Sequence, residues 1–244
     1  MPLFGLAPTE WPAVKLSLLV AFWASLLSLP LAVLVAYALA LAILGRQLLN
    51  ICVHLPLILP PVVTGYVLLL VFGQTAPVGR FLNDTFGIVL AFRWTGAVLA
   101  AAVMAFPLMV RAIRLAIEAV DPKLEQAATT LGAGPILVFL TITVPMMAPG
   151  LVAGVVLAFA KAMGEFGATI TFVANIPGQT QTLPSAIYAF LQVPGGDAFA
   201  VRLLVLSGFI SVLALALSEW VARRVVHGTV QWRFFRSQSF RRRF

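Results

Sequence analysis

Between Lys15 and Arg46 the chain runs for about 30 residues without a charged side chain. About 20 apolar residues are enough to carry a helix through the hydrocarbon core of a bilayer. This run therefore crosses with residues to spare, and is expected to tilt or protrude. Apolar runs recur at roughly 51–72, 94–117, 149–173 and 199–221. Composition agrees: 61% of residues are hydrophobic and 10% charged, with a mean hydropathy of +1.05. A soluble globular chain carries roughly 25% charged residues. The runs have helix length rather than the ten-residue alternation of barrel strands. They predict an all-α polytopic membrane protein with about five transmembrane helices, the first at roughly 15–44.

The runs are interrupted in ways that matter in lipid. Pro30 is expected to kink the first span, and Pro107 lies inside the third. Pro56, Pro60 and Pro61 remove three backbone donors from the second. Free carbonyls at membrane depth are tolerated only where other helices or a water-filled cavity satisfy them. The segment thus reads as a kinked packing helix, a break lining a pathway, or both. Gly150 and Gly154 lie four apart in the fourth span, a spacing that permits close helix contact. The stretch 74–87 reads as a polar loop. The stretch 175–196 reads as a second loop carrying a short helix, 183–193, that lies at or dips into the membrane.

Several chemistries are excluded or unsupported. The single cysteine, Cys52, rules out a disulfide within the chain and makes a cysteine metal site untenable. No second histidine lies near His54 in sequence to suggest a metal site, so His54 reads as a boundary residue. No G-x-x-x-x-G-K-[ST] nucleotide loop occurs. No nucleophile–base set is visible among two histidines, one cysteine and eight acids. The chain is therefore expected not to be an enzyme and to hold no cofactor. The start, 1–15, has no basic n-region, and the run that follows is too long for a signal-peptide core, so it is expected to remain as a span.

Charge sets the expected orientation. With the amino end outside, the inner face holds Arg46, Arg111, Arg114, Lys123 and the carboxyl-terminal arginines; the outer face holds only Lys15, Arg80, Arg93 and Arg202. Cytoplasmic loops carry the lysine and arginine excess, so the amino end is placed outside and the carboxyl end inside. The net charge of +8 is thereby explained without nucleic acid. The chain divides into one transmembrane domain, 1–225, and a basic-aromatic cytoplasmic tail, 226–244. That tail reads as a juxtamembrane segment, or as one lying on anionic lipid headgroups.

One inward loop, about 118–146, is patterned as two short helices. Asp121 is a plausible N-cap with Pro122 at the first helical position. Gly132 supplies a left-handed stop after Leu131. Gly134-Pro135 allows a turn into a second helix, which Pro145 is expected to end. Ala127, Ala128 and Gly132 keep one surface low, so that another protein could press close to the backbone. Glu125 adds a charge placed to meet a basic group on a partner.

The spacing Glu125, Ala127, Ala128, Gly132, then Ile142 and Val144-Pro145, with Gln126 as an insertion, resembles the EAA loop of ABC-importer permeases. Three flanking stretches, His54–Val63, Ala105–Arg114 and Gly164–Thr169, narrow the resemblance to molybdate permease subunits, over about 11–224. The resemblance implies the type I importer permease fold and a homodimer with the pathway between two copies. It also implies cytoplasmic ATP-binding subunits docked on the loop, a periplasmic molybdate-binding protein and a place in the bacterial inner membrane. It implies that Glu125, Ala127, Ala128 and Gly132 couple the ATPase to the spans. Tungstate and sulfate permeases share the architecture, and an ATP-independent anion transporter is the rival from another class.

Candidates for the pathway are Lys161, Glu165, Pro60 and Pro61. Lys161 and Glu165 lie four apart on one helical face of the fourth span. An ionised group at the bilayer centre costs about 2.5–3.5 kcal/mol on insertion scales. Either the two neutralise each other at a helix contact, or Lys161 attracts an oxyanion along the path. Gly164 and Gly167 bracket Glu165 and could let the helix bend. Arg111 and Arg114 read first as markers of the cytoplasmic boundary, and second as attractors of a departing anion.

Overall fold

The computed structural model describes residues 10–41 and 45–213, together with 216 and 220. All regular structure among them is helical. In order the helices are α1 (Trp11–Ala40), α2 (Arg46–Ile58), α3 (Pro61–Phe72), α4 (Pro77–Phe86), α5 (Trp94–Glu118), α6 (Pro122–Thr130) and α7 (Pro135–Val138). A π turn, Phe139–Thr143, leads into α8 (Val144–Met163), followed by α9 (Gly167–Val173) and α10 (Leu183–Leu191). A last helix, α11, is described over 197–213.

Among the described residues three helical runs are long and apolar enough to cross a membrane: α1, α5 and the continuous stretch Pro135–Met163. The pair α2–α3 passes the same test only when joined, and bends by 112° at its break. The 30 residues of α1 reach about 45 Å at 1.5 Å each, well beyond a hydrocarbon core about 30 Å thick. Pro30 sits inside α1 without ending it. The predicted fifth span is described only as far as α11 goes. The predicted tail, 226–244, lies outside the described residues.

α5 is the axis of the bundle, with α1 on one side and α8 on the other. In lipid there is no hydrophobic drive between helices, so close packing of small residues has to hold them. The seams are built that way. Ala21, Ala24, Ala32 and Ala36 of α1 are buried, as are Ala97, Ala100, Ala101 and Ala105 of α5. Met109 and Ile113 of α5 fill the space toward Ala158 of α8. A Cβ on Gly150 would collide with that of Ala116, so the predicted glycine contact is made, between α8 and α5. Ser25 and Ser28 donate to the carbonyls of Ala21 and Ala24 at 2.8 and 2.6 Å, so neither hydroxyl is stranded in the core.

At the amino-terminal end of α1 a smaller cluster gathers Ala13 and Val14, Leu183 and Ala186 of α10, and Leu203 of α11. The backbone N–H of Leu183 donates to Ser17 Oγ at 2.6 Å, fixing the start of α10 to α1. Arg202 of α11 bonds the buried Glu10 at 3.3 Å. The short helix expected in the 175–196 loop is thus present and pinned to two other helices.

Three expectations are corrected. The stretch 74–87 is not simply a loop: it contains α4, which starts with Pro77 in its first turn and ends at Gly87 in the left-handed region. Its Arg80, Asn83, Asp84 and Thr85 give it the composition of a loop, which hid the helix. Pro145 does not end the second loop helix. In a regular helix its ring would strike the carbonyl four residues back, at Thr141. That carbonyl lies inside the π turn, and Pro145 is in the first turn of α8, so the helix passes through. Finally, the fourth span is not one helix over 149–173. It is already helical from 144, stops at Met163, and resumes as α9 after Gly164–Phe166.

Candidate functional site

The loop between α5 and α8 is rigid for local reasons. Asp121 Oδ1 accepts from the Lys123 N–H at 2.9 Å, a side-chain N-cap on α6. Thr129 and Thr130 hydroxyls donate back to the carbonyls of Glu125 and Ala127. Gly132 takes φ 88°, and the N–H of Ala133 closes onto the carbonyl of Ala128 at 3.1 Å. This is a glycine-stopped helix end that satisfies the last carbonyls. The chain then turns at Gly134 into α7.

No residue of α6 is buried. Ala127 and Gly132 are exposed and Ala128 half-buried, which leaves the low surface the spacing implies. Around it stand side chains the sequence reading did not single out. Leu131 is 88% exposed and Ile136 75%, with Leu137 and Leu140 also exposed. Large exposed apolar side chains beside a low surface suit a place where something else binds. Their signal was present in the sequence: four large aliphatics immediately after the polar, alanine-rich α6.

Glu125 does not simply point outward. Its Oε1 accepts from the hydroxyl of Thr143 at 2.5 Å, and Thr143 is 1% exposed. Thr143 closes the π turn at the foot of α8. One oxygen of Glu125 is therefore already engaged within the chain, and the loop is tied through it to a spanning helix. Two residues 18 apart in sequence make this link, so no local pattern announces it.

The two broken spans meet. Pro61 opens α3 and Gly167 opens α9; a Cβ on Gly167 would come within 2.7 Å of Pro61 Cβ. α3 and α9 pack along their lengths, with Ala168 and Phe172 facing Leu68 and its neighbours in the core. Lys161 and Glu165 sit at the second break. Glu165 Oε2 accepts from Lys161 Nζ at 2.7 Å, and Oε1 accepts from the N–H of Ala168 at 3.0 Å. The Glu165 side chain is 1% exposed and that of Lys161 29%. Glu165 thus serves as counter-ion to α8 and as cap for α9. Of the sequence-predicted pathway residues, the structure joins Pro61 to the Gly167 end of α9, two residues beyond Glu165. Pro60 is the exposed residue at which α2 gives way to α3.

At the loop end of α5, Arg114 Nε donates to Glu118 at 2.8 Å and its Nη1 reaches Asn50 at 3.5 Å. Arg46 also reaches Glu118, at 3.3 Å. His54 Nδ1 donates to the Asn50 carbonyl at 2.9 Å. Elsewhere a cleft of about 790 Å³ opens between α1, α2 and α5, walled by Trp23, Cys52, Pro56, Trp94 and Phe106. Its lining carries no charged side chain, so it offers nothing to a charged solute.

Residues 28–227 match the family described as binding-protein-dependent transport system inner membrane component. The chain is 57% identical over 219 residues to the molybdenum transport system permease protein ModB of Escherichia coli K12, covering 89% of this chain and 96% of that one. It is 52% identical over 217 residues to the ModB of Haemophilus influenzae, covering 88% and 95%. It is 34% identical to the sulfate transport system permease protein CysT of Salmonella typhimurium, covering 90% and 80%. Among solved structures, a chain of a bacterial alginate ABC transporter superposes with a TM-score of 0.72 at 16% identity, covering 91% and 81%. One of the MetNI methionine ABC transporter superposes at 0.65 and 16%, covering 89% and 94%. At such identity the structures speak for the fold: that of type I ABC-importer permeases. The chain belongs to the family of binding-protein-dependent transport system inner membrane components.

Proposed function

We propose that this chain is the membrane-spanning subunit of an ATP-driven importer of molybdate. It works as a homodimer with the pathway between the copies. Cytoplasmic ATPase subunits dock on the α6–α7 loop, and a periplasmic binding protein delivers the ion. The amino end lies outside and the carboxyl end in the cytoplasm. The chain carries no nucleotide site and no cofactor of its own; its partner hydrolyses ATP.

The observation that carries this reading is the loop itself. It is capped at both ends of α6, presents an apolar patch beside a low surface, and is tied to α8 through Glu125 and Thr143. A docking partner that pushed on such a loop would move α8, because a rigid lever transmits displacement where a floppy one dissipates it. Nucleotide state and pathway state must then bias each other reciprocally. The molybdate assignment draws on the two relatives above 50% identity; the sulfate permease is the more distant of the three. The ATP-independent alternative would need a relay in the membrane. Its only candidate, Lys161–Glu165, is closed on itself and on a helix end.

Reconstitution of the permease with its ATPase and binding protein tests the reading. ATP-dependent uptake of radiolabelled molybdate, competed by tungstate and far less by sulfate, is expected. Sulfate taken up in preference, or uptake that persists without ATP, would contradict it.

A further inference from the structure

We propose that the cleft between α2 and α5, at the end of the bundle that carries the loop, is a binding site for a tetrahedral oxyanion. The cleft encloses about 340 Å³ and is lined by Asn50, His54, Arg111, Arg114 and Glu118, among others. Arg114 lies only seven residues before the cap of α6 at Asp121.

The charges decide what this cleft can hold. Glu118 is its one carboxylate, and that carboxylate already receives two guanidiniums, from Arg114 at 2.8 Å and Arg46 at 3.3 Å. The lining sets two arginines, Arg111 and Arg114, against this one glutamate, so a positive charge is left over even before Arg46 is counted. Arg111 supplies the uncommitted one: among the described residues it makes no ion pair. A guanidinium with its planar fork free is the side chain best matched to a phosphate-like anion.

The neighbours support the same ligand. His54 is oriented by its bond to the Asn50 carbonyl, which leaves Nε2 free of that bond. Arg114 is held in place by Glu118 and Asn50 and does not reach freely into water; its side chain is only 25% exposed. A marker of the membrane boundary needs a positive charge but no fixed partner and no concave wall. This group has both. Val110 and Leu115 complete the lining, so an anion seated there would be partly shielded from solvent, where charge–charge attraction is stronger.

Two sources can supply the oxyanion: free molybdate at the inner mouth, or the phosphate of an anionic lipid headgroup. The inference needs from the proposed function only that such an ion is carried; the cleft stands whether or not the loop docks an ATPase.

The test uses the permease–ATPase complex without binding protein, in nanodiscs. In one arm the lipid is phosphatidylcholine and binding of radiolabelled molybdate is measured by equilibrium dialysis. In the other, phosphatidylglycerol is added and its retention through delipidation is read by native mass spectrometry. The wild type is expected to bind one of the two. Arg111→Gln should weaken that binding about tenfold or more, since it removes a charge-assisted contact; Arg111→Lys should keep part of it. Molybdate lost in the first arm identifies the free ion, and phosphatidylglycerol lost in the second identifies the headgroup. If Arg111→Gln does not assemble, His54→Ala is compared instead and should weaken the same ligand severalfold. Failure of the wild type to hold either ligand, or a wild-type level of binding in the assembled variant, overturns the site. Uptake by the reconstituted importer is scored separately, so loss of transport and loss of this site are told apart.

Discussion

Thr143 is the residue on which the mechanical reading turns. It is buried, and its hydroxyl is what holds the Glu125 carboxylate against the foot of α8. Its one side-chain partner on the loop is Glu125, through which it acts as a positioning residue. Thr143→Val preserves shape and removes the donor. A hydrogen bond to a charged group contributes about 1.5–3 kcal/mol, and losing it should loosen the loop from the span without unfolding either. The expected result is an ATPase subunit that still co-purifies and still hydrolyses ATP, with fewer molybdate ions imported per ATP. Thr143→Ser should restore coupling. Unchanged stoichiometry in Thr143→Val would remove this link from the mechanism.

At the scale of elements, the informative places are where helices stop. α8 ends at Met163 and α9 starts at Gly167, and Glu165 serves both ends. Removing one partner of a buried ion pair costs about 3–5 kcal/mol because the other charge is stranded. Glu165→Gln is therefore expected to lower the yield and melting temperature of the purified complex. The double variant Lys161→Met/Glu165→Gln should recover part of both, since no charge is then left unpaired. Transport by the double variant separates the two readings of the pair. Uptake near wild type makes the pair a structural joint; uptake abolished in a stable, assembled complex makes Lys161 part of the path.

The same elements show what the sequence could and could not convey. α5 was legible almost to the residue, 94–117 expected against Trp94–Glu118 found, because an uncharged run from Trp94 to Val110 is followed by arginines that stay on one helical face. α6 was legible because its signals are local: Asp121, Pro122 and Gly132 act within one turn of themselves. The break at Pro60 was visible, but not its 112° angle, which depends on α9 packing against α3. α4 was missed because its polar residues read as a loop once their helical spacing was ignored. The π turn was missed because Pro145 signals a stop unless the preceding turn widens to admit it. Of the candidate site, Glu125, Ala127, Ala128 and Gly132 were singled out by their pattern and by the resemblance it carries. Thr143 was not, because its role comes from a contact across 18 residues.

At the scale of the molecule, α5 is the common element. It packs along α1 and α8, ends in the arginine cluster, and leads directly into the loop. The loop is joined to α8 through Thr143 and to α5 through Val120 and Asp121, and the proposed function requires that a displacement at the loop be felt at both. The proposed function requires that this loop face the cytoplasm and be covered by the ATPase. Gln126 is exposed on α6, beside the low surface, and Cys52 is the only cysteine to remove first. In a Cys52→Ser background, Gln126→Cys should react with a membrane-impermeant maleimide in inverted vesicles and not in intact spheroplasts. Addition of the ATPase subunit should protect it. Labelling of Gln126→Cys from the outside of intact spheroplasts, or labelling in inverted vesicles that the ATPase does not diminish, would contradict the account at its centre.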